Sequence, residues 1–162
     1  VHTASSIHIR APREKIFAMV SDLARWPLLL PHYREIDFLG KEADRAIVRM
    51  KCVRSGLPLS WVASYRADAQ ALELRFEHLR SWTKGMQVVW TLNPTRDGTR
   101  VEIVHNLQFR VPALAWLAEP FIGGFFIRHV ARRTLQAVKE HMENPKPPAH
   151  EQAEREAEES RP

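Results

Sequence analysis

A single cysteine, Cys52, leaves this 162-residue chain without any internal disulfide. No positively charged stretch followed by an apolar segment and a small-residue cleavage site opens it, so a reducing, cytoplasmic setting is expected, although a chain whose residue 1 is valine can have lost an earlier start. Long hydrophobic runs are missing too. The best candidate, Val111 to Ile127, is interrupted by Pro112, Pro120, Gly123 and Gly124 and falls short of the run of about 18 apolar residues that a membrane span needs. The chain has no GxSxG elbow, no glycine-lysine phosphate loop, no GxGxxG turn, no HExxH and no paired CxxC. Its eight histidines, at 2, 8, 32, 78, 105, 129, 141 and 150, show no zinc-ligand spacing. These absences leave no expected metal or cofactor. They also exclude the hydrolases, nucleotide-binding enzymes and metalloenzymes that announce themselves by motif.

What is present suits one domain. At 44% hydrophobic the chain can bury a sizeable single core. The net charge of +5 is uneven: residues 144–162 carry Lys146, Arg155 and Arg161 against five glutamates, a balance of −2, which leaves +7 on residues 1–143. That surplus is either a solvated exterior or a surface that steers the protein toward nucleic acid, a ribosome or anionic lipid. Residues 144–162 have almost no apolar content to offset ordering entropy and read as a disordered polar tail after a domain of residues 1–143.

The hydrophobic period changes twice along the chain. Residues 3–9 alternate as a first strand, with Ser5, Ile7 and Ile9 on one side. Pro12 suits a first helical position, and Ile16, Phe17, Val20 and Leu23 follow at helical spacing. Trp26-Pro27 through Pro31 should then leave the helix. Period two governs segments near 33–39, 45–54, 57–67, 71–79, 85–93 and 99–110, joined by Gly40, Ser55-Gly56, Asp68 to Gln70 and Arg96-Asp97-Gly98. After Pro112 the helical period returns: Ile127, Ala131, Leu135, Val138 and Met142 form one stripe, with Arg128, Arg132 and Lys139 off it. The pattern predicts an α+β domain, a meander of antiparallel strands closed by a long C-terminal helix.

Alternation nominates inward sets on each strand: Ala46, Val48, Met50 and Cys52; Leu57, Leu59, Trp61, Ala63 and Tyr65; Leu72, Leu74, Phe76 and His78; Met86, Val88, Trp90 and Leu92; Val101, Ile103, His105, Leu107 and Phe109. Cys52 among them behaves as a small hydrophobe. Tyr65, His78 and His105 are polar at one end, so each needs a structural partner, a water or a ligand. His105 is the better pocket candidate, flanked by two apolar inward residues on either side. Candidate ligand contacts are Trp26, Tyr33, Met50, Trp61, Phe76, His78, Met86, Trp90, Phe109 and Phe126; candidate proton-transfer groups are His105 and Tyr65.

The stretch SDLARWPLLLPHY (Ser21 to Tyr33) resembles the signature of the polyketide cyclase/dehydrase group of the START-like SRPBCC superfamily, in which an aspartate, a Trp-Pro and a tyrosine recur at these spacings. RDGTRVEIVHNLQF (Arg96 to Phe109) and ARRTLQAVKEHME (Ala131 to Glu143) look like that family's last strand and closing helix. The resemblance covers about residues 1–143. It implies a helix-grip fold, with a curved antiparallel sheet of about seven strands wrapped around the long C-terminal helix and short helices after the first strand. It also implies that Trp26 and Tyr33 either line a cavity entrance or plug the space under the first helices. Polyketide aromatases of the superfamily carry an inward arginine four residues after a tryptophan on one strand; counted from Trp61, that position here is Tyr65, and Arg66 should point outward. FRVPALAWLAEPFIGGFF (Phe109 to Phe126) looks more like the coenzyme Q-binding relatives and suits a lid, a membrane-touching tip or ordinary helix packing.

Three functions fit these residues. The first is binding of a hydrophobic, partly oxygenated small molecule, such as a polyketide, quinone or lipid, between sheet and helix. The second is a cofactor-free polyketide cyclase, aromatase or dehydratase that positions the chain and transfers protons through His105 and Tyr65. The third is an interaction module whose basic exterior meets ribosomal RNA. Oligomeric state is not readable from the sequence.

Overall fold

The computed structural model describes residues 1–81, 83–108 and 126–145; Phe109, most of the apolar stretch that follows it and most of the acidic C-terminal segment lie outside them. Strand β1 (His2–Ile9) leads to helix α1 (Arg13–Ser21), a 3₁₀ turn (Leu23–Arg25) and a one-turn helix α2 (Trp26–Leu29). Six strands follow, β2 (Tyr33–Glu42), β3 (Arg45–Arg54), β4 (Leu57–Asp68), β5 (Glu73–His78), β6 (Gln87–Thr95) and β7 (Gly98–Asn106), then helix α3 (Arg128–Glu143). All seven strands form one antiparallel sheet in the order β1-β7-β6-β5-β4-β3-β2. Every neighbour from β2 to β7 is a sequence neighbour, as a meander requires, and β1 closes the sheet against β7. This is a helix-grip architecture, a curved antiparallel sheet with a long C-terminal helix.

Turn chemistry sets the hairpins. Between β3 and β4, Ser55 and Gly56 both have positive φ, 48° and 79°, the geometry of a two-residue turn that matches strand twist. Between β4 and β5, the Asp68 carboxylate accepts the backbone N–H groups of Gln70 and Ala71 at 2.9 Å each. Gly98 departs from its expected role. It pairs with Thr95 as the first residue of β7, outside the two-residue loop, and a Cβ there would collide with the carbonyl oxygen of Ile9. Its missing side chain lets the end of β1 close onto β7.

Two further expectations change. The Trp-Pro stretch leaves α1 but starts a new helical turn, because Pro27 falls in the first turn of α2, where its absent N–H would have had no partner. Leu57, expected inside, opens β4 at the tip of the β3–β4 hairpin and is 67% exposed. Elsewhere the alternation holds: Val48, Met50 and Cys52, then Leu74, Phe76 and His78, then Val88, Trp90 and Leu92 are all buried.

Helix α3 lies against β1, α1 and α2. Ala131, Leu135 and Val138 are buried on its inner stripe, with Ile127 just before it. Lys139, expected off the stripe, runs its stem along the interface and donates through Nζ to the His8 carbonyl (2.8 Å) and the Glu143 carboxylate (2.7 Å). Lys139 and the backbone N–H of Arg10, 2.9 Å away, hold the Glu143 carboxyl well below the usual range. On the outer face, Arg49 and Lys51 meet Asp37, Lys51 meets Glu35, and Arg66 meets Asp44, so basic groups there alternate with acids. Among the described residues no helix is long and apolar enough to cross a membrane.

Candidate functional site

Seven strands with an apolar concave face and a helix laid across it leave a cavity of about 70 Å³ between them. The meander supplies one side of it through alternate residues: Met50 on β3, Trp61 on β4, Phe76 and His78 on β5, Trp90 on β6 and His105 on β7, with Met86 just before β6. Trp26 and Tyr33 enter from the α2–β2 corner. Phe126, Ile127, Val130, Ala131 and Thr134 come from the helix side.

Of the twelve candidates read from the sequence, ten therefore line one cavity. Phe109 lies outside the described residues. Tyr65 is the correction. It is buried, but it does not line the cavity, because its hydroxyl donates to the Ser21 carbonyl at 2.7 Å and ties β4 to the end of α1. Burial, and secondarily the Asp22 charge, push its pKa well above that of an ordinary phenol. Arg66, one residue on, is exposed and meets Asp44 at 2.8 Å. No lysine or arginine lines the cavity among the described residues.

Trp26 organises the aromatic wall. Its indole N–H donates to the Val20 carbonyl (3.0 Å), and its ring meets Tyr33 edge-on at 5.0 Å, Trp90 at 5.7 Å and Phe76 at 6.0 Å. His78 stacks on Trp61, with centroids 5.6 Å apart and planes 7° from parallel. Its Nδ1 shares a hydrogen bond of 2.7 Å with the Thr83 hydroxyl. His105 differs: its Nδ1 is enclosed and has no hydrogen-bond partner, although the residue as a whole keeps some exposure.

Burial governs the electrostatics. It lowers the pKa of His105 to about 4 and, together with the neighbouring His105, that of His78 to about 3. Desolvation raises Tyr33, with Cys52 adding to it, and raises the Cys52 thiol to about 11. At neutral pH these groups carry no charge. Two other polar groups had little sequence signal. His32 reaches across from the α2–β2 corner to the Thr134 hydroxyl (2.8 Å), and burial, then the charges of Arg133 and His129, lower it to about 4. Thr134 was detectable only as a hydroxyl beside the apolar stripe of α3. It donates back to the Val130 carbonyl at 2.9 Å, which satisfies it within the helix.

Such a site can desolvate an apolar guest, stack against it and offer it one or two neutral nitrogen groups. A family model described as polyketide cyclase / dehydrase and lipid transport matches residues 9–139. A Streptomyces cyaneus protein assigned to the polyketide cyclases is 34% identical over 115 residues, covering 69% of this chain and 76% of that one. Among solved structures, the Zhui aromatase/cyclase of a Streptomyces species superposes with a TM-score of 0.76 at 14% identity, over 88% of this chain and 93% of that one. A Thermus thermophilus protein superposes with a TM-score of 0.74 at 19% identity, over 88% and 97%.

Proposed function

Since the chain belongs to the polyketide cyclase / dehydrase and lipid transport family, we propose that it holds a hydrophobic, partly oxygenated small molecule of the polyketide or lipid class in the cavity between sheet and α3. The observation that carries this reading is the buried, unpartnered Nδ1 of His105, a residue that lines a cavity walled mainly by aromatic, methionine and aliphatic side chains, with His78 and Thr134 as its other polar members. A buried nitrogen without a partner costs about 1–3 kcal/mol, which a guest hydroxyl or carbonyl can recover. Native mass spectrometry of freshly purified protein, followed by extraction, tests the reading. A retained apolar molecule whose binding weakens roughly tenfold or more in His105→Phe supports it. A wild-type protein that neither retains nor takes up any such molecule ends it.

A second reading, polyketide cyclisation, is favoured by two neutral histidines lining one cavity. A cyclase must take a proton from a methylene between two carbonyls and return one to the oxygen of the new ring. Among the described lining residues His105 and His78 are the bases available and Tyr33 is a further hydroxyl; Tyr65 is held elsewhere. Burial that keeps both neutral also makes them weak bases, so most of the acceleration would come from constraining the chain. Turnover of a poly-β-ketone mimic that falls in His105→Phe more than its affinity does would favour catalysis over carriage.

A further inference from the structure

The cavity's charge, taken together with the unpartnered nitrogen, narrows the guest, and this step rests on the binding reading above. We infer that the site selects an uncharged ring or chain bearing a hydroxyl or enol, and rejects a carboxylate of the same shape.

The geometry is specific on both counts. The described lining contains no acidic, lysine or arginine side chain. Its titratable members are Tyr33 from β2, His78 from β5 and His105 from β7, with Cys52 on β3, Tyr65 on β4 and His32 at the α2–β2 corner packed around them. Among the described residues, formal charges reach this set at its margin: Arg133 and His129 act on His32, Asp22 acts on Tyr65, and the Arg54 guanidinium stands 5.2 Å from the centre of the Phe126 ring. A carboxylate inside would therefore lose its hydration without gaining a counter-charge from the described lining. It could enter only with a proton, carried by itself or placed on a histidine whose burial opposes it.

The second count concerns hydrogen-bond direction. His105 Nδ1 is either an N–H without an acceptor or a lone pair without a donor, depending on tautomer. A hydroxyl or enol satisfies both cases, because it can donate or accept. A plain hydrocarbon satisfies neither, and a carboxylate only the first, at the cost of its charge.

Three probes of one shape separate these effects: naphthol, naphthoate and naphthalene, titrated calorimetrically or by ligand-detected NMR into wild type and His105→Phe. Naphthol should bind wild type roughly five- to tenfold more tightly than naphthalene, the scale of one net hydrogen bond. In His105→Phe that advantage should vanish while naphthalene still binds, which also shows that the variant is folded. Naphthoate should bind at least a hundredfold more weakly than naphthol at about pH 7.5 and gain about tenfold per unit as the pH falls toward 5.5, following uptake of one proton. Naphthoate binding within tenfold of naphthol at about pH 7.5, whether or not Arg54→Met weakens it, overturns the inference. So does an advantage of naphthol over naphthalene that survives in His105→Phe. If naphthol and naphthalene both fail to bind wild type, the binding reading itself falls, and this inference with it.

Discussion

His32, His78 and His105 are buried or largely enclosed, and each has a pKa lowered by burial first, to about 4, 3 and 4. Their unfolded values lie near 6.5, so between pH 6.5 and about 4 the unfolded chain binds protons that the folded one refuses. Stability from these groups is present in full above pH 6.5 and is lost as the pH falls through that window toward the folded values. A tenfold difference in proton affinity between the folded and unfolded chain is worth about 1.4 kcal/mol, so the combined loss is on the order of several kcal/mol. Urea midpoints measured from pH 7.5 down to 4.5 should fall steadily below pH 6.5, and His78→Gln should flatten the fall. A midpoint unchanged down to pH 4.5 would contradict the enclosure of these rings. At this scale the sequence was only partly informative. Alternation put His78 and His105 inside, because both sit in phase with apolar neighbours on their strands. It could not find Thr83 as the partner of His78, nor pair His32 with Thr134 across 102 residues of chain. It also misjudged Tyr65, whose inward phase was right but whose hydroxyl is claimed by a backbone carbonyl at the end of α1.

Among the elements, the contact between β1 and β7 is the join that turns a meander into a closed grip, and Gly98 controls it. Any side chain there meets the Ile9 carbonyl and the Arg10 backbone, which are not flexible ends that can swing aside. Gly98→Ala should therefore cost about 1–3 kcal/mol, the range for forcing atoms into a packed site. Replacing an open glycine such as Gly40, which a Cβ would leave without a close neighbour, should change the urea midpoint little. Equal midpoints for Gly98→Ala and Gly40→Ala would show that the join has slack. Strand and helix positions were legible because period two and the helical period are strong signals here, strong enough to place the β3 and α3 interiors residue by residue. The reason for Gly98 was not legible. An Asp-Gly pair signals a turn locally, whereas the constraint comes from a strand about ninety positions earlier. Lys139 was only partly legible for a related reason: the helical period set it off the apolar stripe, but could not show that its long stem crosses the α3–β1 interface to reach a carbonyl.

For the whole molecule, the deciding quantity is the cavity's size. About 70 Å³ is far below the roughly 300–1,000 Å³ of pockets that enclose drug-sized ligands. A fused-ring guest must therefore displace lining side chains, and Met50 and Met86, unbranched and readily repacked, are the ones best able to yield. Binding and packing then compete for the same space, so removing bulk should exchange stability for capacity. Trp90 tests this, since it is 3% exposed, lines the cavity and contacts Trp26. Trp90→Ala should destabilise the free protein by about 3–5 kcal/mol, the cost of losing a large buried aromatic and leaving a void. A bicyclic or tricyclic phenol should then raise the melting temperature of the variant more than that of wild type, because a guest that fills the void binds the folded state alone and stabilises it by mass action. Thermal shifts at matched phenol concentrations read this directly. Should the phenol stabilise wild type and variant equally, the guest binds away from Trp90, and the space between sheet and α3 is core alone.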